Sequence, residues 1–307
     1  MIIETYNCRS LPTLQDYMNC IKKLILISTI AVNTAFSQSW EAGGMVGLTG
    51  YYGDVNNEIF ANASTFKQMR GGIFGFVRYH AAERLAIRAN VGYLRIAGID
   101  SFSSSKWQVA RNLNFYTDML EASLQFELNL LQDRSKGKRI VNRTIPYIFG
   151  GIGFTYFTPK TFYRGREFNL AELNTSGIDY SQTTYNIPIG FGLRTYLSPN
   201  WILGFEAGVR LTGTSWLDDI NGTQSRYPNP NSLGSQDARI AYDRSSKNPP
   251  DMPPGSVPGT WGIPGRQRGK IDGNDMYYII GVTMSYKFGN VTSRRFQGKV
   301  MRCPRFY

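Results

Sequence analysis

The sequence predicts an all-β fold: eight antiparallel strands closed into a barrel that spans a membrane. Three observations predict it. Eight segments alternate with period two, with large apolar side chains on one parity and small or polar ones on the other. The polar parity carries mainly Gly, Ser, Thr and Asn, whereas the outside of a water-soluble barrel would carry many Lys and Glu; only 18% of all residues are charged. The connections also alternate, short then long, as they do in membrane barrels with short turns on one side and long loops on the other.

Ahead of the strands, Met18 to Ser37 reads as an export signal. Lys22 and Lys23 precede the apolar run Leu24 to Val32, and Ala35-Phe36-Ser37 offers a small-residue cleavage site before Gln38. The competing reading is a membrane anchor, but the run is too short to cross as a helix. Residues 1–37 are therefore read as an upstream extension plus a cleaved signal peptide, with Met18 as the start. Residues 38–289 are read as the barrel and 290–307 as a basic tail.

The first strand is Trp40 to Tyr52, with Trp40, Ala42, Val46 and Leu48 opposite Glu41, Gly43, Met45 and Thr49. Gly71 to Tyr79 and Leu85 to Ile96 follow, joined by the turn His80 to Arg84; the faces of the former are not separated by polarity. Phe115 to Leu130 alternates most regularly, with Leu120, Ala122, Leu124, Phe126 and Leu128 against Glu121, Ser123, Gln125, Glu127 and Asn129. Pro146 to Phe157, Tyr185 to Leu197 and Trp201 to Thr212 continue the series, the last two joined by the tight turn Ser198-Pro199-Asn200. The stretch 217–274 is rich in Pro, Gly, Asn and Ser, and its low apolar content predicts a loosely ordered loop that cannot bury itself. Asp275 to Phe288 is the last strand, long enough to cross a bilayer at a tilt, which takes roughly 9–11 residues.

Eight strands also make a soluble lipocalin-like barrel, apolar inside. The unbroken apolar faces argue for lipid outside, as do aromatics near strand ends at Trp40, Trp201, Tyr286 and Tyr93. With an even strand number and the short turns in the periplasm, both termini fall on the periplasmic side of an outer membrane. The net charge of +12 is scattered except at the C-terminus, which argues against nucleic acid as a partner.

Glu41, Arg88, Glu121, Glu127, Arg194, Glu206 and Arg210 all fall on polar faces. Buried charges must pair, so these seven are read as an ion network in the lumen. The network either plugs a narrow barrel or provides a proton or solute path; eight strands favour the plug. Arg78, Arg95 and Asp118 fit neither face cleanly and are expected near a rim, where charge costs little. No cofactor, metal or small-molecule substrate is indicated. His80, the one histidine, sits in a turn with no evident partners, and Asp218-Asp219 reads as a solvated loop rather than a calcium site.

The tail 290–307 interleaves Arg294, Arg295, Lys299, Arg302 and Arg305 with Phe296 and other apolar residues, and it contains no acid. It is read either as solvated chain or as a docking segment, since Arg and aromatic side chains anchor interfaces. Cys303 has no partner cysteine after Ser37, so any disulfide it makes in the periplasm is intermolecular.

Several blocks resemble a known family: YYGDV at 51–55, RANVGYLRIAG at 88–98, RNLNF at 111–115, EASLQFELN at 121–129, PYIFGGIG at 146–153, MYYIIGVTMSYKF at the end and, above all, 187–223. The chain resembles the PorG-like outer-membrane barrels of the type IX secretion apparatus. The resemblance implies a non-enzymatic outer-membrane protein that docks the periplasmic ring of the lipoprotein PorK and PorN. The Pro-rich insert 226–268 departs from that pattern. The alternative is a free-standing small barrel, structural, porin-like or adhesive, that uses its long external loop.

Overall fold

Period-two segments can satisfy their backbone in lipid only by pairing around a closed ring, and the chain does this with eight long strands: β1 Ser39–Tyr52, β2 Arg70–His80, β3 Leu85–Ile99, β4 Asn114–Asn129, β5 Thr144–Tyr163, β6 Thr183–Tyr196, β7 Trp201–Thr212 and β8 Met276–Phe288. The computed structural model describes residues 39–55, 63–133, 135–136, 139–140, 143–163, 165–221, 225–242, 244, 264–265, 267–269 and 273–288. Each strand is antiparallel to its neighbours in sequence, and β1 pairs with β8 from Trp40↔Phe288 to Tyr52↔Met276, which closes the barrel. No helix among the described residues is long and apolar enough to cross a membrane.

Side chains are arranged inside out relative to a protein in water. Val91 and Phe154 are 67% and 65% exposed, while Glu41 and Arg88 are 0% and 2% exposed. Every strand presents apolar residues outward, and the band ends in aromatic pairs at the short-turn end. Trp40 lies against Tyr79 at 4.9 Å and Trp201 against Tyr286 at 5.2 Å between ring centroids. Bulky outward rings at both ends of an apolar wall mark the interfaces of a membrane barrel.

The apolar core sits inside the barrel at its long-loop end. Met45, Tyr51, Phe74, Leu94, Ile96, Phe115, Met119, Phe157 and Ile279 converge there with Leu113, Leu170, Leu217 and Ile220 from the loops. Short helices α1 Ala63–Gln68, α2 Lys106–Arg111, α3 Leu170–Leu173 and α4 Gln236–Tyr242 belong to these loops. The expectation that 217–274 is loosely ordered throughout is therefore corrected over 217–221 and 225–242: Leu217, Ile220, Tyr227, Leu233 and Ala241 are all buried. Leu217, Ile220 and Ala241 pack into the core at the barrel mouth, while Tyr227, Leu233 and Ala238 pack on one another and on Leu173 in a cluster of their own. Residues 245–263, the signal segment and the tail lie outside the described residues.

Candidate functional site

The lumen is the candidate site. At the short-turn end, Glu41 on β1 takes an ion pair from Arg78 on β2, and its other oxygen lies 2.8 Å from His80 Nε2. Ser285 on β8 donates to the same carboxylate at 2.6 Å. Asp133, just past β4, accepts from Tyr196 Oη at 2.7 Å and lies 3.2 Å from Lys287 Nζ and 3.4 Å from His80 Nδ1. Glu127 on β4 is the hub of the next layer. Arg78 Nε lies 2.9 Å away, Arg88 Nε 3.1 Å and Arg194 Nη1 3.4 Å.

Further along the axis, Arg88 meets Glu206 through two nitrogens, at 2.6 and 2.9 Å, and Tyr147 Oη donates to Glu206 at 2.9 Å. Arg88 also donates to Gln125, and Arg194 to Asn129. The highest layer pairs Arg210 Nε with Glu121 at 3.5 Å; Tyr277 Oη donates to Glu121 at 2.9 Å. Asn186 donates to Thr155 at 2.6 Å beside them. Above this layer the lumen turns apolar.

All seven residues predicted for the lumen thus face inward and lie buried: Glu41, Arg88, Glu121, Glu127, Arg194, Glu206 and Arg210. Four members were not assigned to it from the sequence: Arg78, His80, Asp133 and Lys287. Arg78 is not at a rim, as expected, but in the network, and His80 has two carboxylate partners where none was evident. Counting these, Arg78, Arg88, Arg194, Arg210 and Lys287 face five carboxylates, so the charges balance. The signal for Lys287 was its parity on β8. Arg78 was hidden because its inward neighbours Phe74 and Phe76 are apolar.

Those rings have a role beside the guanidiniums. Arg78 lies 4.9 Å and Arg88 5.4 Å from the Phe76 centroid, Arg88 5.4 Å from Phe149, and Arg194 4.7 Å from Tyr147. A desolvated cation gains most from an aromatic face, so rings replace water between the charges. Tyr147 fits because residue 192 is glycine; a Cβ there would sit 2.4 Å from the Tyr147 ring.

A second buried polar layer closes the mouth. Arg111 on α2 donates to both oxygens of Asp100, at 2.8 and 2.7 Å, to the Asp54 carbonyl at 2.9 Å and to the Arg268 carbonyl at 2.8 Å. Asp218 accepts from the backbone N–H of Val55 and Ile220, and Asp275 from Tyr51 Oη and Leu217 N–H. Burial, then the charge of nearby carboxylates, pushes Asp218 and Asp275 well above the ordinary carboxylate value of 3.8. Asp219 is pushed up as well by burial, against the pull of Arg268. The reading of Asp218-Asp219 as a solvated loop is corrected: both are buried. Among the described residues no cluster has the makings of a metal site.

Arg95 and Asp118 do lie on the outer wall beyond the apolar band, paired at 2.6 Å. Arg294, Arg295, Phe296, Lys299, Arg302, Cys303 and Arg305 lie outside the described residues.

A closed eight-stranded barrel, apolar outside and charged inside, is a barrel of the outer-membrane class. Residues 20–238 match the family described as a domain of unknown function (DUF6089), and the chain belongs to that family. Among solved structures it is similar to the N-terminal β-barrel domain of Pseudomonas aeruginosa OprF, with 10% identity over 81% of this chain and 97% of that one and a TM-score of 0.33. It is similar to Ail, the attachment invasion locus protein of Yersinia pestis, with 11% identity, coverage of 82% and 97% and a TM-score of 0.33. It is also similar to Neisserial surface protein A, with 9% identity, coverage of 82% and 100% and a TM-score of 0.37. No curated protein matches the chain.

Proposed function

We propose that this chain is a non-enzymatic, non-conducting anchor in the bacterial outer membrane, with both termini in the periplasm. In this reading it serves the type IX secretion apparatus by holding the periplasmic ring of PorK and PorN against the membrane. The observation that carries the reading is the lumen, filled by paired side chains from Glu41 to Arg210 and overlain by an apolar core. A barrel without a path acts through its outer wall and its ends. The first described strand begins and the last one ends at the short-turn end, and in this reading that end faces the periplasm and the tail 290–307 serves it. The resemblance of 187–223 and the other blocks points to the ring as the partner, and PorK, as a lipoprotein, lies next to the membrane. Arg302 and Arg305 beside Cys303 favour its thiolate and steer the tail to an acidic surface.

Deletion of 290–307 is expected to leave a barrel that still shifts on a gel between unheated and heated samples. That barrel no longer retains the ring from detergent-solubilised membranes, and secretion stops. Cys303→Ser is expected to weaken retention without unfolding the barrel. Normal retention and secretion by the truncated protein would reject docking through the tail and favour the free-standing barrel.

A further inference from the structure

We propose that the outer wall at the long-loop end carries a binding site for the phosphate of a membrane-lipid headgroup, formed by Arg70, Arg95 and Lys160. The register places Arg95 and Lys160 on the outer wall, and Arg70, the first residue of β2 and on its inward parity, joins Arg95 in one groove at the rim. Tyr93, Leu120 and Tyr156 are cross-strand partners on β3, β4 and β5 and form the last row of the apolar band. The next outward row is Arg95, Asp118 and Thr158, and the one after it is Ala97, Tyr116 and Lys160. Charge thus begins one step beyond the tyrosines, at the depth where headgroups lie.

The side chains there are held in place and remain accessible. Arg95 donates from Nε to Asp118 at 2.6 Å, its guanidinium lies 4.8 Å from the Tyr116 centroid, and its side chain is 43% exposed. Lys160 lies 3.1 Å from Glu167 and 3.8 Å from Asp118. Arg70 is fixed through Nη1 to the carbonyls of Lys67 and Met69, at 3.1 and 3.0 Å, and has no ion-pair partner among the described residues. Arg70 and Arg95 line a groove of about 290 Å³ together with Tyr116 and Phe162, and Lys160 stands beside it as the cross-strand partner of Tyr116.

Among the described residues Arg70, Arg95 and Lys160 outnumber Asp118 and Glu167, so the patch keeps an unmet positive charge. The opposite wall differs: near its long-loop end β1, β6, β7 and β8 present Tyr52, Tyr185, Ile187, Leu211 and Met276 outward, and no cation stands among these. One-sidedness distinguishes a site from a general interfacial girdle. Guanidinium forks match phosphate oxygens in pairs, and the Tyr93, Leu120 and Tyr156 row next to them offers apolar contact to the lipid beneath.

The test uses the full-length protein in mild detergent and measures retained lipid by native mass spectrometry. The probes are bisphosphorylated lipid A, the same lipid with both phosphates removed, and inorganic phosphate as competitor. The intact protein is expected to retain the bisphosphorylated form, and Arg95→Gln with Lys160→Gln to lower retention by about thirtyfold, as expected for two interfacial cations. Should the double variant fail to show the heat-dependent gel shift of a folded barrel, Arg70→Gln is read instead and is expected to lower retention severalfold. Equal retention by the folded variant, or equal retention of the dephosphorylated lipid, overturns the proposal. Displacement of the lipid by inorganic phosphate would mark a free-anion site and overturn it as well.

Discussion

Glu127→Ala is expected to be the most damaging single change in the lumen. The carboxylate lies against three guanidiniums, those of Arg78, Arg88 and Arg194, from three different strands. Its removal leaves like charges facing one another in a space without water to screen them. Breaking one side of a buried pair costs roughly 3–5 kcal/mol, and here the loss is shared by the whole lower half of the network. The expected result is a much lower urea midpoint for the folded band on a gel of unheated samples. Glu206→Ala is expected to follow, since it removes the carboxylate that Arg88 meets through two nitrogens and leaves it only Glu127 as an ion-pair partner, with Arg210→Ala milder because its contact with Glu121 is 3.5 Å long. An unchanged midpoint for Glu127→Ala would mean that the lumen admits water freely.

Arg111→Ala is expected to open the mouth while leaving the wall intact. This one side chain ties together the loops after β1, β3 and β7 through Asp54, Asp100 and Arg268. Its loss leaves the Asp100 carboxylate buried without its cation, again a cost of roughly 3–5 kcal/mol, but felt in the loops. Brief protease treatment of the folded variant is expected to cut within the loops at the long-loop end and spare the strands. Arg111→Lys is not expected to rescue, because an ammonium cannot span three acceptors as the guanidinium fork does. Loops that resist cleavage in Arg111→Ala would show that the apolar core, not this residue, holds the mouth.

Most of the wall was legible in the sequence because parity survives wherever the two faces differ in chemistry. β4 and β7 are such cases: Leu124 and Glu127, or Phe205 and Glu206, could not share a face. Legibility failed where both faces are apolar. On β2, Phe74 and Phe76 point inward against outward Ile73 and Val77, so Arg78 could not be assigned. On β5, inward Tyr147 and Phe149 hid the aromatic lining of the lumen, and the strand extends to Tyr163, past the point where the alternation is clear. The cap was invisible for a different reason. Leu217, Ile220 and Ala241 are too sparse to predict a core, and their partners Phe115, Met119 and Phe157 come from distant strands. The partners of His80 were hidden in the same way, because Asp133 lies far along the chain and meets it only when the barrel closes.

The claim that the barrel is filled is tested most directly by conductance. The purified, folded protein is inserted into planar bilayers and current is recorded at increasing voltage. The paired charges from Glu41 to Arg210 and the apolar mouth above them predict no steady open channel in the unmodified protein. They also predict no ion-selective channel in Glu206→Ala or Arg210→Ala, which lose stability without gaining a path. A large, stable conductance from the unmodified protein would contradict the account.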